Sequence, residues 1–378
     1  MRFTEEQDEF ARQIRDFCAK ELGTLAQRDA VTEGGTLSNS PQILQAFADL
    51  GWLGVSVPQA YGGAGAGFVD ECIFLEGSAR GLAPITGYST GLTAGQTYLR
   101  YGTEEQKNLI MGGLCKGRLE AISLSEPGAG SDLGGVKLKV DRDGGDFVIN
   151  GQKTWCSAAH VADHMLVLGR TDNTGRKHDG LTLFIVPTGA PGLTIRGIET
   201  MEPRTVNDVF FTDVRVPAAD VVGEVGMAWR HLMRGLSVER LIIAAMSLGA
   251  AERALDDVIG YVTQREQFGR TIGSFQAVQH RIATLATEIA YCKSFVFDIA
   301  DKIDHGEEEN LGMEGAMAKL KCTEVAKTTT LEAMQLMGGY GYAREYGMEG
   351  QVRRALAPPI YGGTNEIQRE IISKNLGL

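Results

Sequence analysis

One carboxylate in this sequence has the surroundings that a general base needs. Glu239 precedes Arg240 in a helical segment that is apolar on nearly every side after Ser237, so the helix should be buried. Neighbouring residues on a helix do not face each other, and no charged residue stands three or four positions from either of them. Burial raises the pKa of a carboxyl group towards working pH. Two interpretations follow from the residues alone: a catalytic base, or one member of a buried interhelical ion pair.

A glycine-rich loop and a tryptophan could hold a planar ring. Residues 124–132 combine Gly, Ser and Asp, so several backbone N–H groups could converge on one acceptor. The loop lacks the Lys of a Walker loop and opens no helix, so a tight β-turn is an equal alternative. Further along, Asn150-Gly151 predicts a hairpin turn, which places Trp155 and Ser157 on one face of the following strand. The alternative for Trp155 is a core position.

Three more segments have both a ligand-binding and an ordinary interpretation. Residues 265–276 contain two arginines between helical segments, which could clamp a pyrophosphate or lie in a solvated connector. Glycines at 338–341 follow a helical pattern and could form a simple C-cap. Thr364 ahead of Glu366 is typical of a helix N-cap.

The order and spacing of these segments resemble the acyl-CoA dehydrogenase family over essentially the whole chain. The matching motifs are Ser-Glu-Pro-Gly-Ala-Gly-Ser-Asp at 125–132, Asn-Gly-Gln-Lys-x-Trp at 150–155, Arg-x-x-Phe-Gly at 265–269, Gln-x-x-Gly-Gly-x-Gly at 335–341 and Tyr-x-Gly-Thr-x-Glu-Ile-Gln at 361–368. The resemblance implies an α+β multidomain chain, with an N-terminal helical domain, a middle antiparallel β domain and a C-terminal four-helix-bundle domain. It also implies a homotetramer with FAD between the β and C-terminal domains.

Carried over residue by residue, the resemblance assigns contacts to FAD and to an acyl-CoA substrate, some of them across a subunit interface. The residues assigned to FAD are Leu124, Ser125, Gly130, Ser131, Trp155, Ser157, Arg265, Gln267, Phe268, Ile272, Gln276, Gln335, Gly338, Gly339, Thr364 and Glu366. Those assigned to substrate are Ser131, Arg240 and Tyr361, and Ser237 stands where some relatives have an acidic residue that contacts CoA.

The chain departs from the family at the position of the base. Many members place the catalytic Glu where this sequence has Gly362, which has no side chain to accept a proton. In the long-chain and isovaleryl branches the base precedes an Arg on the long helix, as Glu239 does here. The resemblance therefore implies that Glu239 removes the α-proton of an acyl-CoA while the β-hydrogen leaves as hydride to FAD. The Gly362 N–H and an FAD ribityl hydroxyl would stabilise the thioester oxygen.

The implied product is a trans-2-enoyl-CoA, with electrons passing to an electron-transferring flavoprotein. Moving the base away from position 362 leaves room near the α-carbon, which favours branched, long or bulky acyl chains. Two alternatives remain: a flavin oxidase or monooxygenase of the same fold, which uses oxygen, and a non-catalytic partner subunit of a mixed tetramer.

Composition excludes several classes of partner and site. The 378 residues carry a net charge of -11 and no basic run, which argues against nucleic acid and an anionic membrane surface. The longest apolar stretch, 241–251, is too short to span a bilayer. Six cysteines without a Cys-x-x-Cys pair suit a reducing cytoplasm and argue against disulfide frameworks and zinc sites. We expect a cytoplasmic protein without a metal.

Hydrophobic periodicity divides the chain into three zones. Residues 1–118 are predicted to form an N-terminal helical domain, 119–225 a middle β domain and 226–378 a C-terminal helical bundle. Predicted helices cover 5–22, 41–50, 69–79, 103–114, 227–263, 276–305, 311–337 and 366–375. The 49 glycines exceed average usage, which favours tight turns and backbone approach to a ligand at the glycine clusters.

Overall fold

A computed structural model describes residues 2–307 and 311–378, with the side chains of all of these except 233–237. The chain forms two compact units. Unit 1 contains Met1–Gly34, Gly67–Ala83 and Ser237–Leu378, and unit 2 contains Gly35–Ala66 and Pro84–Leu236. The domain boundaries at 118 and 225 stay predictions.

The first zone is helical, as its periodicity predicts. Its helices are α1 (Glu5–Leu22), α2 (Leu25–Val31), α3 (Pro41–Asp49), α4 (Phe68–Arg80), α5 (Thr86–Tyr101) and α6 (Glu104–Leu114). Side chains of Thr4, Ser40 and Thr103 cap α1, α3 and α6 by accepting bonds from backbone N–H groups. Helices α1, α2 and α4 belong to unit 1, whereas α3, α5 and α6 belong to unit 2.

Helix α5 escaped sequence prediction because it is rich in glycine. Its Gly87, Gly91 and Gly95 are four residues apart and therefore share one face. A Cβ atom at these positions would lie 2.9 Å, 3.1 Å and 2.8 Å from side-chain atoms of Leu119, Leu114 and Met111. Close packing, rather than helix propensity, accounts for these glycines.

Unit 2 contains a mostly antiparallel sheet. The strands are β1 (Glu120–Ser123), β2 (Lys139–Asp143), β3 (Asp146–Ser157), β4 (His164–Arg170), β5 (Leu181–Pro187), β6 (Leu193–Gly197), β7 (Val206–Pro217) and β8 (Val221–Val222). Their order is β6-β7-β3-β2-β4-β5-β8, and β1 pairs with β4. The β1–β4 and β2–β4 pairs are parallel. Buried leucines of β4 and β5 pack with Tyr98 of α5 in one core cluster.

The predicted hairpin at Asn150-Gly151 is wrong. Strand β3 continues through these residues, and the turn lies earlier, at Gly144-Gly145 between β2 and β3. The register with β7 shifts between Ile149 and Gly151, so the dipeptide marks a β-bulge. Asn150 exchanges two hydrogen bonds with Asp213 of β7, at 3.0 Å and 2.8 Å. This cross-strand pair uses the asparagine that would otherwise favour a turn.

The remaining chain is again helical. It contains α7 (Ala228–Val262), β9 (Glu266–Gln267), β10 (Arg270–Thr271), α8 (Gln276–Asp304), α9 (Gly312–Met337), α10 (Gly339–Tyr342), α11 (Met348–Leu356) and α12 (Asn365–Asn375). Helix α9 packs against α8, α11 and α12 in unit 1. A Cβ atom on Gly249 of α7 would overlap the Glu76 carbonyl oxygen of α4, so these helices cross closely. No helix among the described residues has the length and apolarity to cross a membrane.

Candidate active site

Glu239 of α7 lies beside the turn that precedes α12. A Cβ atom added to Gly362 would be 3.7 Å from Oε1 of Glu239 and would overlap Cδ1 of Ile243, one helical turn further along α7. The φ angle of Gly362 is +62°, a left-handed conformation that favours glycine. The structure therefore brings together the two positions, 239 and 362, at which members of the resembled family carry the base. Only Glu239 can supply the carboxylate.

The surroundings of Glu239 favour a reactive carboxyl group over a structural ion pair. The side chain is half-buried, and none of the described residues forms a hydrogen bond or ion pair with it. Burial raises its pKa above the ordinary value, while the positive charges of Arg240 and Lys319 act in the opposite direction. Arg240 is only 9% exposed, and its Nε atom has no hydrogen-bond partner in the described part of the chain.

Two buried side chains hold the turn at Gly362 and Gly363 by its carbonyl groups. Gln368 Nε2 donates to the oxygen of Gly362 at 3.1 Å and to that of Gly363 at 2.8 Å. Lys319 Nζ donates to the Gly363 oxygen at 2.8 Å. Within residues 2–307 and 311–378, nothing accepts a hydrogen bond from the Gly362 N–H. A backbone donor is thus left beside a carboxylate, on a fixed turn.

Sequence reasoning missed Lys319 and Gln368. Both side chains are fully buried. A lysine is rarely buried completely, but its sequence position, on a helix with other lysines, gave no sign of this. The other predicted residues of this segment are less enclosed: Tyr361 and Glu366 are exposed, and the Thr364 hydroxyl caps α12 by accepting from Ile367 N at 3.3 Å. The side chain of Ser237 lies outside the described residues.

In unit 2, the glycine-rich loop is tied to strand β3 by buried bonds. Lys153 is fully buried, and its Nζ donates to Leu124 O at 2.7 Å and to Glu126 Oε1 at 2.9 Å. Thr154 N donates to Ser125 O at 3.0 Å. Glu126 and Ala129 exchange two backbone bonds, so the loop contains the tight turn that was one of its two interpretations. Gly130 and Ser131 are exposed beyond this turn.

Trp155 is presented to the surface of unit 2. Its side chain is 59% exposed, which rules out the core position considered above. Its φ angle is +58°, at a register shift between β3 and β7. A bulky residue at positive φ is strained, and such strain occurs most often at functional sites. Cys156 is buried and Ser157 half-buried, so the two predicted contact residues alternate with a core residue.

In unit 1, the arginine-bearing connector and the glycine segment lie together. The connector forms the β9–β10 hairpin, with Phe268 93% exposed at its tip. The Arg265 guanidinium lies 5.3 Å from the centroid of the Tyr340 ring. Gly338 has φ +62° and ψ -142°, a combination open essentially to glycine alone. Arg265, Gln267, Gln276, Gln335, Gly338 and Gly339 are exposed, and Ile272 packs against a core cluster of α7 and α9.

Three family models match the chain in succession. They are the acyl-CoA dehydrogenase N-terminal domain at residues 4–118, the middle domain at 121–214 and the C-terminal domain at 226–377. The chain belongs to the acyl-CoA dehydrogenase family. It is an oxidoreductase of this family, whose members bind FAD. The predicted fold class, with helical N-terminal and C-terminal regions around a β region, is confirmed.

Individual acyl-CoA dehydrogenase relatives match over almost their whole length. A probable acyl-CoA dehydrogenase, YngJ of Bacillus subtilis, is 36% identical over 383 residues, which cover 99% of this chain and 98% of the relative. A 3-(aryl)acrylate reductase of Clostridium sporogenes is 34% identical, with 100% of both chains covered. The crystal structure of an acyl-CoA dehydrogenase from Geobacillus kaustophilus has a TM-score of 0.91 and 33% identity, covering 100% of this chain and 99% of that one.

Each of the two units offers residues that fit FAD. Unit 2 offers an exposed aromatic face at Trp155, with hydroxyl groups and backbone on a loop tied to the same strand. Unit 1 offers the exposed Arg265 and glycine backbone that no side chain covers at 338–339. A flavin ring and a diphosphate require these kinds of contact. No cluster of three or more potential metal ligands occurs among the described residues.

Proposed function

We propose that this protein oxidises an acyl-CoA thioester to the trans-2-enoyl-CoA and passes the electrons to an electron-transferring flavoprotein. The observation that carries the proposal is the placement of Glu239 next to the Gly362 turn, where the carboxylate and the Gly362 N–H have no hydrogen-bond partner among the described residues. A base and an oxyanion donor are the two groups that removal of a proton beside a thioester needs.

In this proposal the chain moves one proton and stabilises one developing charge. The thioester oxygen accepts a hydrogen bond from the Gly362 N–H, and Glu239 takes the α-proton onto its carboxylate. FAD, when bound, supplies the acceptor for the hydride that leaves the β-carbon. The electron pair of the broken Cα–H bond then forms the Cα–Cβ double bond. Arg240 and Tyr361 are proposed substrate contacts.

The remaining predicted residues are proposed to bind FAD. Leu124, Ser125, Gly130, Ser131, Trp155 and Ser157 would contact the ring and the neighbouring substrate. Arg265, Gln267, Phe268, Ile272, Gln276, Gln335, Gly338 and Gly339 would contact the diphosphate and adenine across a subunit interface. Thr364 and Glu366 would complete the site. The preferred substrates would have branched, long or bulky acyl chains, and the protein would work in the cytoplasm, where its six free thiols suit a reducing environment.

A second candidate function is the reverse reaction, reduction of an enoyl thioester. This candidate is supported by the similarity of the full chain to a 3-(aryl)acrylate reductase. Glu239 would then give its proton to the α-carbon instead of accepting it. The base and the oxyanion donor are the same in both directions, so the direction depends on the electron partner.

A panel of saturated acyl-CoA thioesters, mixed anaerobically with the FAD-loaded protein, tests the proposal. We expect at least one branched or long-chain member to bleach the flavin absorbance and yield the trans-2-enoyl-CoA. Peroxide formed in air at the rate of substrate oxidation would instead favour the oxidase alternative. A purified protein that binds no FAD would favour a non-catalytic partner subunit and contradict the proposal.

The pH dependence of activity should report the raised pKa of Glu239. The base acts as a carboxylate, so kcat/KM is lost as pH falls through its pKa and regained as pH rises. Because burial raises that pKa, the acidic limb should lie above the ordinary glutamate value of about 4.3. Steady-state assays with a dye acceptor across the acidic range measure it. A limb at or below the ordinary value would contradict a raised pKa for this base.

Replacing Phe268 by Ser should weaken assembly. Phe268 is 93% exposed at the tip of the β9–β10 hairpin, and the family resemblance assigns it to a contact across the subunit interface. We expect the variant to shift from tetramer towards smaller species in sedimentation, and to retain less FAD if contacts cross the interface. Leu50→Ser, at a residue 51% exposed in unit 2, is the matched control and should leave assembly unchanged. An unaltered tetramer in Phe268→Ser would contradict the proposed role of the hairpin.

A further inference from the structure

Lys319 of α9 has a fully buried ammonium group, and no carboxylate of the described residues bonds to it. Its Nζ donates to Gly363 O at 2.8 Å and to Asn365 Oδ1 at 3.1 Å, and both acceptors are neutral. In the described part of the chain it forms no ion pair. Burying a charge against neutral oxygens costs more than burying an amide. The position therefore requires an explanation beyond hydrogen bonding, because the amide of Gln368 already holds the same carbonyl.

The lysine belongs to a buried network that joins α9 to the start of α12. Asn365 Oδ1 accepts from Lys319 and lies 3.2 Å from the hydroxyl of Thr323, which is one turn further along α9. Asn365 N in turn donates to Pro359 O at 2.9 Å. The carbonyl of Gly363 and the first residue of α12 are thus fixed to one helix. Since Gly362 directly precedes Gly363, the network anchors the chain one residue after the Gly362 N–H.

The charges around Lys319 include the proposed base. Burial lowers its pKa to about 8; Glu239 and Glu366 act in the opposite direction, and Arg240 acts in the same one. For Glu239, burial raises the pKa, and both Arg240 and Lys319 oppose that rise. The ammonium and the carboxylate each stabilise the charged form of the other. A neutral hydrogen-bond donor at 319 would keep the turn but lose this effect.

We propose that Lys319 is a positioning residue with two roles: it fixes the Gly362–Gly363 turn, and its charge, held at the turn that lies beside Glu239, favours the ionised form of that carboxylate. The inference rests on the proposed function, since it needs Glu239 as the base. It extends that function by adding a fully buried cation that acts through the turn and through Glu239.

Three variants separate the two roles. Lys319→Gln retains a donor and removes the charge, so the acidic limb of kcat/KM should move up by about one pH unit, with kcat at high pH reduced less than about tenfold. Lys319→Met removes both, so the same shift should accompany a fall in kcat of about 100-fold. Gln368→Met removes a neutral donor from the turn, so kcat should fall without any shift of the limb. Absorbance of bound FAD and thermal unfolding serve as controls for folding.

The pKa of Glu239 can also be measured without turnover. In pH-difference infrared spectra, the carboxyl band that disappears in Glu239→Gln should titrate at higher pH in both Lys319 variants than in the wild type. If the Lys319 variants reduce kcat but shift neither the acidic limb of kcat/KM nor the titration of the carboxyl band, the electrostatic role is overturned. Loss of FAD or of folding in both Lys319 variants would make the lysine purely structural and overturn the inference. Failure of the proposed function looks different: the wild type would not dehydrogenate acyl-CoA, or Glu239→Gln would do so normally.

Discussion

Substitution of Glu239 by Gln is expected to lower the rate of flavin reduction by acyl-CoA by about 10⁴-fold. The amide has the size of the carboxylate but cannot accept the α-proton, and Gly362 offers no replacement base. The carboxylate has no hydrogen bond or ion pair among the described residues, so its loss should leave the fold and FAD binding intact. Anaerobic stopped-flow absorbance of FAD measures the rate.

The matched control is Glu370→Gln, at an exposed carboxylate of α12 that pairs with Lys374. This variant should reduce FAD at the wild-type rate. If Glu239→Gln also does so, another residue removes the proton. If Glu239→Gln loses FAD, the carboxylate has a structural role, which is what the alternative of a buried interhelical ion pair predicts.

Replacing Gly362 by Ala is expected to lower kcat by about 10²-fold or more. The added Cβ would overlap Cδ1 of Ile243 and lie 3.7 Å from Oε1 of Glu239, so the isoleucine must shift beside the base. The φ angle of +62° also disfavours alanine, and relaxation of the turn would turn the Gly362 N–H away from the thioester oxygen. Steady-state kcat with a dye acceptor, together with the thermal unfolding temperature, separates catalysis from stability.

Gly377→Ala is the control for backbone strain alone. Gly377 has φ +83° and no atom within 4 Å of an added Cβ, so the substitution carries the strain without the contact. It should leave kcat unchanged. Equal losses of kcat in the two variants would contradict a local role for Gly362, and full activity of Gly362→Ala would contradict the oxyanion donor.

The sequence points to Glu239 as a candidate base but does not show which residues surround it. Helix periodicity, a local property, predicts a buried Glu-Arg pair at 239–240, and the family resemblance adds that a glycine stands in place of the usual base. The contact between Gly362 and Ile243 arises only from tertiary packing. No spacing along the chain could give it, since 118 residues, at positions 244 to 361, separate the two.

The errors have a common physical origin in long-range pairing. Asn150-Gly151 has strong turn propensity, but its cross-strand bonds to Asp213 of β7 kept the strand extended. The glycines of α5 oppose a helix locally, yet they allow the close contacts that stabilise it. Lys319 and Lys153 look like surface lysines in the sequence, and only packing of the chain shows that each is buried against carbonyl oxygens.

Transfer of the α-proton tests the central claim most directly. The FAD-loaded protein, reduced with dithionite, is incubated with a trans-2-enoyl-CoA in D₂O, and the saturated acyl-CoA is analysed by mass spectrometry and NMR. For the wild type we predict product with deuterium at the α-carbon, delivered by Glu239, and for Glu239→Gln no product above background. Formation of α-deuterated product by Glu239→Gln at the wild-type rate would contradict the assignment of Glu239 as the acid–base group.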